Sequence, residues 1–233
     1  MRQRIDQLDW YKAAGRLNAD GYTILNAVLA PSECDDLKKQ YDNQALYRKT
    51  IVMERYRFGQ GEYRYFNYPL PPVVEQLRQS VYPYLAPVAN KWMEVLNIGH
   101  SFPATHAGLL ELCNAHKQTR PTPLILRYGK GGYNTLHQDL YGEVFFPMQM
   151  VLFLDEPGTD YEGGEFVLIE QRPRAQSKAI VLKPGKGDML VLTTNFRPVK
   201  GSRGYYRVNM KHGVSEVTAG QRHTLGIIFH DAA

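Results

Sequence analysis

The sequence predicts an α+β protein, a jelly roll of antiparallel strands buttressed by amino-terminal helices. Two patterns predict it. From Pro123 onward, short apolar runs follow one another: PMQMVLFL, EFVLIE, KAIVLK, DMLVLTT, GYYRVNMK and RHTLGIIFH. Gly- and Pro-rich turns separate them with no helical stretch between, the signature of a sandwich or barrel. Upstream, Leu77, Val81, Leu85, Val88, Trp92 and Leu96 recur every three or four residues, which places one apolar stripe on a helix. A chain of 233 residues with 43% hydrophobic content suits a single domain over 1–233. Residues 1–120 read as mainly helical support and 121–233 as the roll.

In chain order, residues 1–20 read as a helix with Ile5, Leu8, Trp10, Tyr11 and Leu17 on its apolar stripe, ended by Gly21. GYTIL reads as a short strand. Ser32, with Asp35 three residues on, predicts a capped helix start. Residues 47–68 interleave seven aromatics with Arg48, Lys49, Arg55, Arg57 and Arg64 around a GQG turn. Such a segment forms either a substrate lid, stacking bases and meeting phosphates, or an aromatic edge hairpin packed on the main sheet. Arg55, Arg57 and Tyr63 are its candidate substrate contacts. Pro71 and Pro72 open the long helix, which Pro83 and Pro87 should kink or divide. A further helix spans about 104–117. His100, His106 and His116 have no ligand spacing there and read as surface or satisfied core residues.

No stretch approaches the roughly 20 apolar residues of a membrane span, and the polar start shows no signal peptide. Cys34 and Cys113 are too few for a disulfide framework. The expectation is a reduced, cytoplasmic protein. The net charge is +5. Between Arg172 and Lys211 lie ten basic residues against one acid, Asp188, a pattern that suits either a polyanion or a solvated face.

The chemistry centres on TPLILRYGKGGYNTLHQDLY, residues 122–141. In an extended segment, His137 and Asp139 point to the same face and Gln138 to the other. An imidazole beside a carboxylate suits iron when a second His completes the set. His212, His223 and His230 are the candidates. His212 closes GYYRVNMK just before a glycine, where a strand should end. His223 points opposite to Arg222, and His230 lies beyond the expected pocket. Arg222, ten residues after His212, can grip a carboxylate with two parallel hydrogen bonds. Gln149 interrupts PMQMVLFL, and Arg207 and Asn209 precede His212; all three are candidate pocket residues.

His137-x-Asp139, a distal His212, a basic residue ten positions later and GGE at 163–165 resemble the iron(II)- and 2-oxoglutarate-dependent dioxygenases, over roughly residues 123–231. The chain is most similar to prokaryotic oxygenases associated with methylated, damaged DNA. The phrases RPTPLILRYGKGGYNTLHQDLYGE, GGEFVLIEQRPR, RPVKGSRGYYRVNMKHGVS and RHTLGIIFHDA carry that match. The resemblance to AlkB repair enzymes is partial: Tyr128 stands nine residues before His137 as theirs does, but Ile228 stands where they have a second arginine.

The resemblance implies a double-stranded β-helix, or cupin-like jelly roll, that binds Fe(II) through His137, Asp139 and His212. Arg222, Tyr128 and Thr224 would contact 2-oxoglutarate, with O2 as co-substrate. It further implies hydroxylation of a substrate C–H with release of succinate and CO2. On an N-methyl group of nucleic acid this is oxidative demethylation, a DNA repair activity. The alternatives are the same chemistry on a protein side chain or small metabolite, and a non-catalytic metal-binding jelly roll.

Overall fold

A computed structural model describes residues 1–233. The helix expected over 1–20 is two, α1 (Arg2–Asp6) and α2 (Trp10–Asp20). The chain breaks between them because Asp9 caps α2, its carboxylate accepting from the Lys12 N–H at 2.9 Å. Gly21 ends α2 at φ +79°, as expected, and leads into β1 (Tyr22–Leu25). Helix α3 (Pro31–Lys39) does not begin with the Ser32–Asp35 box. Pro31 starts the helix earlier, and the Glu33 carboxylate accepts from the Ala30 N–H at 2.7 Å.

Next come β2 (Tyr47–Val52), a single 3-10 turn at Met53–Tyr56, β3 (Gly59–Gln60) and β4 (Glu62–Phe66). Helix α4 (Pro72–Val95) is unbroken over 24 residues despite Pro83 and Pro87. Both prolines are exposed and four residues apart. The hydrogen bonds they delete therefore lie on the solvent face, while the opposite face buries Leu77, Val81, Leu85 and Trp92. Helix α5 (His106–Ala115) follows.

The remaining strands are β5 (Leu124–Tyr128), β6 (Tyr133–His137), β7 (Met148–Phe153), β8 (Tyr161–Gly163) and β9 (Phe166–Gln171). After them come β10 (Lys178–Leu182), β11 (Met189–Thr193), β12 (Phe196–Gly201), β13 (Gly204–Val214), β14 (Val217–Gly220) and β15 (Arg222–Ile228). The major sheet runs β1-β11-β7-β15-β5-β4-β2, and the minor sheet β10-β9-β13-β6-β3, with β12 beside β13. Every pairing between these strands is antiparallel.

The amino-terminal half is thus less purely helical than expected, contributing β1, β2 and β4 to the major sheet and β3 to the minor one. Residues 47–68 are an edge hairpin on the main sheet through β4–β5, and β3–β6 ties them to the opposite sheet as well.

The major sheet is buried on both faces. Ile125, Met150, Leu152, Val191, Leu225 and Ile227 face the helices, in one cluster with the α4 stripe. Val151, Phe153, Leu190 and Leu192 face the minor sheet, against Phe166, Leu168 and Met210. Burying each such side chain stabilises the fold by about 1.5–3 kcal/mol, so the two sheets hold a fixed spacing. The site lies in the gap between them.

Candidate active site

His137 is the last residue of β6, and Asp139 follows just past the strand end. His212 lies directly across from His137 in the β13–β6 register. Contrary to the sequence expectation, β13 does not end there but continues to Val214, because β9 pairs with it along that whole stretch. The His137 and His212 rings have centroids 4.2 Å apart. His212 Nε2 is 3.3 Å from Asp139 Oδ2, and His137 Nε2 is 3.7 Å from Asp139 Oδ1. One ligand atom from each residue falls within 4.8 Å of the others.

The protein presets His137 and Asp139. His137 Nδ1 lies 2.8 Å from the Thr135 carbonyl, an acceptor only, so that nitrogen carries the proton and Nε2 keeps its lone pair. Burial, then the neighbouring His212, pushes the His137 pKa down and favours the neutral ring a metal needs. Burial alone would push the Asp139 carboxyl up. The hydrogen-bonded His212, with His137 and Gln149, outweighs it and holds the group well below the usual carboxylate range. Gln149 Nε2 donates to Asp139 Oδ2 at 2.8 Å, and the Tyr141 hydroxyl donates to Oδ1 at 3.0 Å. Tyr141 is bonded in turn to the Tyr65 hydroxyl at 3.0 Å. Phe166 stacks on His212 at 5.7 Å. Gln138 is turned away, its amide donating to Asn195 and to the Met210 carbonyl.

The other histidines are occupied elsewhere. His223 Nδ1 is 2.8 Å from Asp155, which also holds Lys38. His230 is fully buried and accepts from the Phe146 N–H at 3.0 Å. His106 sits in the core against the Phe229 carbonyl, while His100 and His116 are exposed.

The triad opens into a cavity of about 270 Å³. Its major-sheet wall follows a strand period of two: Tyr63 and Tyr65 on β4, Leu124, Leu126 and Tyr128 on β5, Gln149 and Val151 on β7, Thr224, Gly226 and Ile228 on β15. Arg222 lies two residues before Thr224 on the same face of β15, opposite Tyr128. Its guanidinium is ringed by Tyr128, Phe153 and Tyr161 at 5.5–5.8 Å. It is 1% exposed, and none of its three side-chain nitrogens has a hydrogen-bond partner. Gly164, at φ +60°, makes room for it; a Cβ there would come within 2.9 Å of Arg222 Cδ. A buried, unpartnered cation demands an anion. This fits the far carboxylate of 2-oxoglutarate, with the Tyr128 and Thr224 side chains, which line the cavity, as further donors.

Of the candidate substrate contacts, Tyr63 and Gln149 line the cavity. Arg55 and Arg57 lie outside it, exposed on the turn after β2. Arg207 and Asn209 also lie outside; both are exposed, with Arg207 over the Phe196 ring at 4.9 Å. Strand alternation explains this, since the cavity side of β13 is the side of Val208, Met210 and His212. Sequence reasoning missed Tyr65, Tyr141, Phe58 and Phe166. Steps of two from Tyr63 to Tyr65 and from Asp139 to Tyr141 carried a signal for two of them.

A family described as "Oxygenase, catalysing oxidative methylation of damaged DNA" matches residues 61–232. Two uncharacterized Mycobacterium tuberculosis proteins, from strains CDC 1551 / Oshkosh and ATCC 25618 / H37Rv, are each 44% identical over 197 residues, covering 84% of this chain and 79% of theirs.

The chain belongs to this oxygenase family.

Its fold is shared with a Pseudomonas putida prolyl-4-hydroxylase at TM-score 0.60 and 13% identity, over 96% of this chain and 100% of that one. A 2OG-Fe(II) oxygenase family oxidoreductase from Burkholderia pseudomallei matches at TM-score 0.55 and 14% identity, over 96% and 92%. These likenesses show the double-stranded β-helix. Family, fold and the His–Asp–His triad together make the chain an Fe(II)- and 2-oxoglutarate-dependent oxygenase. No helix of the oxygenase is long and apolar enough to cross a membrane. Its two cysteines are buried and unbonded.

Proposed function

We propose that this oxygenase is one domain over 1–233 that hydroxylates a C–H bond of a methylated or damaged nucleobase, a DNA repair activity. His137, Asp139 and His212 hold the iron, and Arg222, Tyr128 and Thr224 hold 2-oxoglutarate. When bound, iron and 2-oxoglutarate would supply the electrons that activate O2 toward the substrate C–H, one oxygen atom going to the hydroxylated product and the other to succinate, with CO2 released. The chain's residues do the rest. Gln149 and Tyr141 orient Asp139, Thr135 fixes the His137 tautomer, and the buried Arg222 orients the co-substrate. Two buried thiols suit a reducing cytoplasm.

One observation carries the substrate reading. Beyond the triad, the cavity is walled by Phe58, Tyr63, Tyr65, Tyr141, Leu126 and Leu140, with no lysine or arginine. A neutral aromatic wall accepts a flat, uncharged group and offers nothing to a charged side chain. The family match points to DNA as its carrier.

A second reading rests on the ten residues from His212 to Arg222, a spacing closer to prolyl hydroxylases: the same chemistry on a protein side chain or metabolite. Succinate release by iron-loaded enzyme separates the two. Stimulation by methylated oligonucleotides, with formaldehyde formed, is the expected result. Stimulation only by peptides or metabolites would overturn the DNA reading.

A further inference from the structure

Outside the cavity, the chain's cations are unevenly committed. Four of the ten basic residues in 172–211 are paired: Arg172 and Arg197 with Glu170, Lys183 with Glu165, and Lys186 with Asp35. Among the unpaired cations elsewhere, three cluster. Arg48, Lys49 and Arg120 line one surface notch together with Asn67, Tyr68 and Thr119, and none of the three forms an ion pair.

The notch is built. The β2–β4 register slips between Tyr47–Phe66 and Lys49–Tyr65, which makes Arg48 the extra residue of a β-bulge. A bulge re-aims a side chain. Here it sends Arg48 to the loop after α5, where Nε donates to the Pro121 carbonyl at 2.9 Å. The other side of the notch is pinned as well: Arg120 and Ala232 exchange two backbone hydrogen bonds at 3.0 and 2.8 Å. The structure therefore holds like charges together. Burial and nearby Arg120 both push the Arg48 pKa down. Asp231, which acts on Arg48 from a distance, is already held by Arg78 at 2.7 Å and by the Tyr68 hydroxyl at 2.8 Å. Packing like charges without a counter-ion costs stability unless an anion occupies the place.

The location gives the anion a use. Arg48 lies over the Tyr65 ring at 4.6 Å. The same ring lines the cavity, and its hydroxyl reaches Tyr141 and through it Asp139. Notch and cavity are one aromatic ring apart.

We propose that Arg48, Lys49 and Arg120 bind a backbone phosphate of the single strand whose modified base enters the cavity. This rests on the nucleic-acid reading above and names the strand's anchor. The arginine-rich turn at Arg55–Arg57 and the 172–211 span are then not the anchor.

The test is fluorescence anisotropy of a fluorescein-labelled single-stranded oligonucleotide on the full chain across a salt series. Arg120→Gln and Lys49→Gln alter exposed side chains and should leave the fold intact, checked by melting temperature. Each should weaken binding several-fold and lower the slope of log affinity against log salt by about 0.7. Arg48→Lys should keep the parent slope, and Arg48→Gln should lower it by about 0.7 as well. Arg203→Gln, in the basic span, should change neither. Parental binding with an unchanged slope in the notch variants would overturn the anchor and leave the nucleic-acid reading standing. Failure of the parent to bind at low salt would overturn both. If inorganic phosphate raised the parent's melting temperature but not that of Arg120→Gln, while the oligonucleotide did not bind, the notch would be a free-phosphate site and the strand proposal would be wrong.

Discussion

Gln149 Nε2 donates a 2.8 Å hydrogen bond to Asp139 Oδ2. The two residues come from different elements, β7 and the coil after β6. Gln149 is 3% exposed, so the bond is shielded from competing water. It directs Asp139 toward the face it shares with His137 and His212. Gln149→Leu should raise the iron dissociation constant by about 10–100-fold, with the fold unchanged. Anaerobic iron titration by calorimetry checks this. Parental affinity would mean that Tyr141 alone orients the carboxylate.

His137→Ala, Asp139→Ala and His212→Ala should each abolish iron binding and turnover, because two remaining ligands hold iron poorly. If His212→Ala kept full activity while His223→Ala lost it, the distal ligand would be misassigned.

Arg222 separates stability from function. Its guanidinium is buried without a hydrogen bond, so Arg222→Met should stabilise the ligand-free protein by about 1–4 kcal/mol. The same substitution should remove the melting-temperature rise that 2-oxoglutarate gives the iron-loaded parent, about 2.7 kcal/mol at a hundredfold excess over its dissociation constant. Iron binding should persist. A variant that is less stable yet still responds to 2-oxoglutarate would place the co-substrate elsewhere.

Burial pushes the pKa values of His106 and His230 down to about 3 in the folded state, against about 6.5 unfolded. A depressed folded value means that the unfolded chain binds the proton first. The stability these neutral rings contribute is therefore full above pH 6.5 and is lost as pH falls from there toward 3. Each ring should add a slope of about 1.4 kcal/mol per pH unit in that window. Urea midpoints across pH check it, and His106→Leu should remove one proton's worth of the slope.

Arg78 is a structural hub. Fully buried, it pairs with Asp231 at 2.7 Å and donates to the Ile228 and Phe229 carbonyls at the end of β15. Arg78→Ala leaves Asp231 buried and unpaired and should cost about 3–5 kcal/mol in urea unfolding. Because β15 carries Arg222 and Thr224, affinity for 2-oxoglutarate should fall with it.

The side chains that converge in the structure, His137, Asp139 and His212, could be singled out before any fold was known, because each announces its chemistry by type and local spacing. His137 and Asp139 are two apart on an extended segment, and a side-chain period of two is a local property of the backbone. The six late apolar runs of the roll were legible for the same reason. The long helix was legible but not its continuity through Pro83 and Pro87, which depended on their facing solvent. The cap of α3 was misplaced because Pro31 and Glu33 outcompeted Ser32 and Asp35 for the helix start.

By itself, then, the sequence determined the chemistry available to this protein: two imidazoles, a carboxylate, an arginine and strands to carry them. Only the tertiary structure decided which of them meet. His212 faces His137 because β13 pairs with β6 in one register 73 residues downstream of Asp139, and a shift of one residue would turn it to the other face. Gln149 reaches Asp139, Tyr65 reaches Tyr141, and Arg48 reaches the loop before β5 through a bulge. Each of these joins residues distant in sequence, and long-range pairing follows from how whole sheets pack rather than from any local pattern.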